Sequence, residues 1–167
     1  KNWCTLRRVK NQHRKVAFIM ANYPNRDGRL ANGVGLDTPE SIITVSKELN
    51  KNGYKLDGFP DSSSELMQIL TSGPTNWLPD RAEKTGGEFY PLDSYLKEYK
   101  KLPYEFRSKI EDRWGAPEDD PFITSLSKKV QNRKNKGFAL SIHRFNNVIV
   151  GLQPARGYNI DAKETYH

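Results

Sequence analysis

Apolar positions in this chain fall into a few short runs, separated by long polar stretches rich in glycine, proline and asparagine. The first run, Lys15 to Ala21, reads Lys-Val-Ala-Phe-Ile-Met-Ala, a nearly unbroken apolar segment after a basic stretch. Such a run is the pattern of a strand buried on both faces of a parallel sheet. From Asn22 to Asp37 three glycines, two further asparagines and a proline interrupt any period, so a long loop is expected there. At Thr38 the period becomes helical. Asp37 is placed to cap the helix, Glu40 follows three residues on, Pro39 suits the first turn, and Ile42, Val45 and Leu49 recur at helical spacing until Gly53 stops them. Tyr54 to Leu56 is expected to start a short second strand, and Asp61 to Ser64 to cap a helix carrying Leu66, Met67, Ile69 and Leu70.

Gly73 to Gly87 reads as a loop with an aromatic anchor at Trp77. Two helices are expected next, about Leu92 to Lys100 and Tyr104 to Trp114, the second entered through Pro103 and ended by Gly115. An acidic, proline-bearing connector follows from Gly115 to Pro121. Phe138 to Ile142 and Asn147 to Leu152 are then expected to form a hairpin or two sheet strands. The β-loop-α-β-α order implies an α/β fold, an open and mostly parallel sheet with flanking helices, Rossmann-like or flavodoxin-like. The expected organisation is a basic arm over residues 1–14 and a single α/β domain over residues 15–167.

Composition narrows the class. With 167 residues, 35% hydrophobic and 11% aromatic, the chain can bury one ordinary core. Its net charge of +7 allows attraction to anions of several kinds: nucleic acid, anionic lipid or a polycarboxylate ligand. The excess clusters in Lys1, Arg7, Arg8, Lys10, Arg14 and Lys15, and in Lys128, Lys129, Arg133, Lys134 and Lys136, and a solvated face is the expected reading of these clusters. Neither cluster is interleaved with the aromatic stacking motif of RNA-binding sheets, so no nucleic-acid partner is expected. A single cysteine, Cys4, rules out an internal disulfide framework and zinc sites built on paired cysteines. No apolar run approaches the roughly 18 residues of a membrane span. The chain starts at Lys1 and ends at Tyr166-His167 with no turn or tail signal, so both ends are expected to be cuts within a longer protein.

Two loops could carry chemistry. In the first, Asn22 to Asp37, Gly33 and Gly35 permit close backbone approach, the following helix offers free N–H groups, and Arg26 and Arg29 can pair with carboxylates or phosphates. Ligands of open α/β sheets bind beyond such strand ends. The alternative is a surface loop whose glycines only satisfy turn geometry. It is not a standard nucleotide loop, because Gly35-Leu36-Asp37-Thr38 stands where a Gly-Lys-Ser/Thr would be needed and a dinucleotide fingerprint would place its third glycine at Thr38, which leaves a nucleotide-binding enzyme as a runner-up only. The second loop, Gln153 to Tyr158, offers the Arg156 fork and the Gln153 amide, against the alternative of a solvated turn. His13, His143 and His167 are scattered without helical spacing. His143 reads as a packing residue, and only the terminal His167 remains a weak metal candidate.

Three ordered blocks carry a family likeness: RKVAFIMANYPNRDGRLANGVGLDTPESI from Arg14 to Ile42, LPYEFRSKIEDRWGAP from Leu102 to Pro117, and GLQPARGYNIDAKETYH from Gly151 to His167. They resemble the cobaltochelatase large subunit family, which is related to the large subunit of magnesium chelatase. The resemblance implies an internal fragment of an ATP-dependent chelatase subunit that binds a tetrapyrrole, cobalt insertion into a corrinoid precursor being favoured over magnesium into protoporphyrin by the Asn-Tyr-Pro loop. It implies Co2+ or Mg2+ as the inserted metal, ATP used by AAA+ partner subunits alongside an integrin-I-type subunit, and no cofactor held by this segment. The implied location is the cytoplasm, or the plastid stroma in a photosynthetic eukaryote. The segment by itself is expected to be inactive. Substrate contacts are expected at Asn22, Tyr23, Arg26, Asp27, Arg29, Asn32, Asp37, Gln153 and Arg156, with the catalytic residues left unassigned. A non-catalytic partner-docking module of the same assembly, or a basic nucleic-acid-binding domain, is the alternative role.

Overall fold

A computed structural model of the chain describes residues 2–22, 28, 30–76, 84, 86–120, 122–125 and 136–154. Chain contacts group into two compact units, Lys1–Gly86 with Ser141–His167, and Gly87–Leu140.

The first unit begins with α1 (Asn2–Arg8), none of whose residues is buried, and a 3-10 turn at Asn11–His13. Beyond them Arg14 donates to the Val9 carbonyl and to the Tyr54 hydroxyl, at 2.9 and 3.3 Å. Strand β1 (Val16–Met20) lies where the apolar run predicts it. Helix α2 (Thr38–Lys51) has the expected cap: the Asp37 side chain accepts from the Glu40 N–H at 3.1 Å, with Pro39 in the first turn. Asp37→Ala is expected to cost about 1 kcal/mol of stability, the usual value of such a cap; urea unfolding monitored by helical circular dichroism checks it. Helix α3 (Ser63–Ser72) is capped by Ser62, whose hydroxyl accepts from the Glu65 N–H, while Glu65 reaches back to the Asp61 N–H.

The closing strands of this unit are β5 (Ile142–Phe145) and β6 (Val148–Leu152), joined at Asn146-Asn147. Asn146 takes the left-handed conformation that the tight turn demands (φ 55°), which asparagine tolerates. The sheet order is β1-β6-β5, with β1 parallel to β6 and β5 antiparallel to it. Its core face packs Met20, Phe145, Val150 and Leu152 against Ile42 and Ile43 of α2 and Leu66 and Leu70 of α3.

The other unit holds β2 (Glu88–Pro91), α4 (Leu92–Tyr99), α5 (Tyr104–Trp114), β3 (Ile123–Ser125) and β4 (Lys136–Leu140). Its sheet is antiparallel in the order β2-β4-β3. Gly137 is obligatory, since a Cβ there would lie 2.7 Å from the Phe89 ring. Tyr95 stacks on Tyr99 and meets Tyr90 and Phe138 edge-on. Burial, then the charges of Asp120 and Tyr90, raises the Tyr95 phenol above its ordinary value of 10.0. Burial raises Tyr99 as well, followed by its hydrogen bond to Glu111 and by the charges of Glu111 and Tyr95, against Arg107. Both phenols are therefore neutral in folded and unfolded chains below pH 10, and the unfolded chain ionises first above it. Stability from this cluster is expected to be intact below the unfolded value and lost as pH rises through the raised folded values; urea midpoints across that window, beside a Tyr95→Phe variant with a shallower fall, check this.

Four expectations need correction. Tyr54 to Leu56 is not a strand: the segment leaves α2 and meets the β5–β6 turn, where the Asn147 N–H donates to the Lys55 carbonyl. The sheet is not mostly parallel among the described residues. Parallel pairing is confined to β1 with β6, because a two-residue hairpin can return a strand only antiparallel. The Phe138 to Ile142 run divides at Ser141 between two sheets. Strand β1, read as buried on both faces, buries Met20 but leaves Ala17 and Ile19 open, Ile19 at 59% exposure.

Candidate functional site

The parallel pairing of β1 with β6 sets Met20 opposite Leu152, so both candidate loops depart from neighbouring strands at the same end of the sheet. The departure is tightly bonded. The Gln153 N–H donates to the Met20 carbonyl at 2.8 Å, which carries the parallel ladder one residue past β6. The Asn76 side-chain amide then donates to both strand-end carbonyls, Asn22 O and Gln153 O, at 3.1 Å each. Asn76 is buried, next to buried Pro74 and Thr75, so its bond to Asn22 is shielded from water and its bond to Gln153 partly so. Nothing in the sequence marks Asn76, which sits in a Gly-Pro-Thr-Asn stretch that reads as an ordinary turn.

Asn22 shows the opposite use of the same side chain. It is 3% exposed, and among the described residues neither its shielded Oδ1 nor its shielded Nδ2 has a hydrogen-bond partner. Leaving such groups unpaired costs about 1–3 kcal/mol apiece, and buried polar groups are rarely left so.

From the strand end the chain is led back toward α2 by the Ala31 N–H, which donates to the Ala21 carbonyl at 2.9 Å. Ala31 is buried with φ 60°, a conformation that costs a non-glycine residue roughly 1 kcal/mol. A turn at Gly33–Leu36 follows, closed by the Leu36 N–H to the Gly33 carbonyl and relying on Gly35 at φ 72°. A Cβ on Gly33 would lie 2.8 Å from the Thr38 hydroxyl, so the turn is pressed against the start of α2. Together these segments wall an open concavity of about 460 Å³, lined by Leu30, Ala31, Asn32, Leu36, Asp37 and Thr38 among others. Val34 at the tip and Leu36 on the wall present apolar surface to solvent.

Of the expected contacts, Asn22 and Gln153 are brought together at the strand ends, while Asn32 and Asp37 share the concavity. Asp37 also spends one carboxylate oxygen on the α2 cap. Tyr23, Arg26, Asp27, Arg29, Arg156 and His167 lie outside the described residues, as does Trp77. His143 is half-buried in β5, where a Cβ on Gly73 would lie 3.1 Å from its Nε2. Among the described residues no group of three or more His, Cys, Asp or Glu is placed to hold a metal ion, and no helix is long and apolar enough to cross a membrane.

The sequence matches the family described as CobN/Magnesium Chelatase over residues 1–167. The chain belongs to the CobN/Magnesium Chelatase family. Within it, the chain is 43% identical over 166 residues to the aerobic cobaltochelatase subunit CobN of a Sinorhizobium species, a match that covers 99% of this chain and 12% of that protein. The H-type subunit of magnesium chelatase from Rhodobacter capsulatus is 30% identical over 160 residues, 93% of this chain and 12% of that protein. The chain thus spans about an eighth of the length of these relatives. A solved structure of the catalytic subunit of cobaltochelatase from Mycobacterium tuberculosis superposes with a TM-score of 0.66 and 22% identity, over 91% of this chain and 12% of that one, which establishes a shared fold.

Proposed function

We propose that this chain is an internal segment of the large, tetrapyrrole-binding subunit of a metal chelatase, and that the paired strand-end loops hold the edge of the macrocycle. The observation that carries the reading is the Asn76 clamp, which ties the Asn22 and Gln153 strand ends together and so makes one locus of two distant loops. On this reading Arg26, Arg29 and Arg156 take peripheral carboxylates, Tyr23 covers the ring face, and Asn32, Asp27 and Asp37 organise the loop. Identity of 43% to a cobaltochelatase subunit against 30% to a magnesium one supports a corrinoid precursor as substrate and cobalt as the inserted metal. ATP hydrolysis belongs to AAA+ partner subunits, working with an integrin-I-type subunit in the cytoplasm or plastid stroma.

The test is a titration of this segment and of the full-length subunit with hydrogenobyrinic acid diamide and protoporphyrin, following tryptophan quenching and the macrocycle absorption band. Saturable binding by both proteins, tighter for the diamide, is the expected result; binding by neither sinks the tetrapyrrole reading. Binding by the full-length subunit alone would favour a second reading, partner docking. One observation supports that second reading: α5 buries no residue and exposes Tyr104, Phe106 and Trp114.

A further inference from the structure

We propose that Asn32 is a site of spontaneous covalent modification, where ring closure onto the Gly33 nitrogen and hydrolysis turn a neutral amide into a second carboxylate in the concavity. The chain holds two Asn-Gly pairs, Asn32-Gly33 and Asn52-Gly53, and in each the glycine leaves the attacking nitrogen unobstructed by a side chain. The structure separates the two.

Asn52 caps the C-terminal end of α2. Its Nδ2 donates to the Glu48 carbonyl at 2.8 Å, which fixes the amide against the helix. The Gly53 N–H, the group that has to attack, donates to the Asn50 carbonyl at 2.9 Å, and Gly53 is held at φ 82°. Both reacting groups are engaged, and reaction there requires the helix end to open first. Asn32 has neither restraint. It is exposed on the wall of the concavity, and among the described residues its side chain has no hydrogen-bond partner. Gly33 and Leu36 face each other as an isolated bridge whose one well-formed bond, at 2.9 Å, runs from the Leu36 N–H to the Gly33 carbonyl. The Gly33 nitrogen is held by little, so it reaches Asn32 Cγ without breaking a helix or a strand.

The chemistry needs only water. The Gly33 nitrogen gives up its proton and bonds to Asn32 Cγ, the Cγ–Nδ2 bond breaks, and ammonia departs with that proton. Water then opens the five-membered succinimide at either carbonyl, giving aspartate or isoaspartate. An amide and water become a carboxylate and ammonium, and nothing is oxidised or reduced. Either product changes the concavity. The new carboxylate joins Asp37 among the lining groups, and two like charges there repel an anionic ligand. The isoaspartyl link also adds a backbone atom to a turn so tight that a Cβ on Gly33 would lie 2.8 Å from the Thr38 hydroxyl oxygen. The effect of the charge on a polycarboxylate macrocycle rests on the tetrapyrrole reading; the modification itself does not.

The experiment ages the full-length subunit at mildly alkaline pH, folded and in guanidinium chloride, and follows both asparagines by peptide mass spectrometry as a gain of one mass unit. In the unfolded chain the two are expected to react at similar rates, and in the folded chain Asn32 is expected to react at least tenfold faster than Asn52. A folded-state ratio no larger than the unfolded one overturns the assignment. Asn32→Asp, which carries the aspartyl product from the start, is expected to bind hydrogenobyrinic acid diamide at least threefold more weakly than Asn32→Gln, which keeps a carboxamide. Equal binding by these two variants overturns the charge effect. Failure of wild type to bind any macrocycle sinks the tetrapyrrole reading instead, and the rate ratio still decides the modification.

Discussion

Asn76→Asp is expected to lower the unfolding free energy of the chain by about 3 kcal/mol and to loosen the ends of β1 and β6 together. The substitution keeps the shape and replaces the donating amide by a charge facing two main-chain carbonyls, Asn22 O and Gln153 O, in a buried setting. Two hydrogen bonds worth about 1 kcal/mol each are lost, and the desolvated charge adds to that. Asn76→Ala removes the donor without the charge and is expected to cost about 2 kcal/mol. Urea unfolding gives the energies, and amide hydrogen exchange locates them: the Gln153 N–H, bonded to Met20 O, should exchange faster in both variants while amides of α2 keep their relative protection. An unchanged Gln153 amide would mean that the parallel ladder, and not Asn76, holds the strand ends.

Leu66→Ala is expected to cost about 3 kcal/mol, within the 2–5 kcal/mol found for large-to-small changes at sites that cannot collapse. Leu66 is completely buried on α3, packed in the cluster that joins Met20, Ile43, Phe145 and Val150, so the lost methyl groups leave a void bounded by both helices and the sheet. A shift of the urea midpoint without a change in slope checks it. Phe106→Ala, on exposed α5, is the matched comparison, expected to stay within about 0.5 kcal/mol despite the larger deletion.

Helices of this chain were legible where local signals agree. Asp37 with Glu40, Ser62 with Glu65, and Pro103 with Gly115 each place a boundary through chemistry confined to a few neighbouring residues. The strands were legible only when long and apolar, as Val16–Met20 and Val148–Leu152 are. Glu88–Pro91 and Ile123–Ser125 escaped because neither short segment alternates, and their pairing with β4 is a tertiary fact that neither segment carries in itself. Tyr54 to Leu56 misled for the converse reason: its Tyr-Lys-Leu alternation is local, whereas its single main-chain bond to Asn147 is a tertiary fact. In the candidate site, the two loops could be found from strand ends and composition. Their union could not, because it depends on an asparagine 54 residues from one loop and 77 from the other.

The same sheet has one more property. Among the described residues β1 pairs on one side only, and Ile19 projects from its open face beside Gly151 and Ile142. Unpaired main-chain groups next to an apolar, uncharged stretch are a template on which a like segment from another molecule can add. Whoever prepares this chain alone should therefore meet a solubility ceiling set by Phe18-Ile19-Met20, low in spite of a net charge of +7, and a lysine at Ile19 is the change that would raise it.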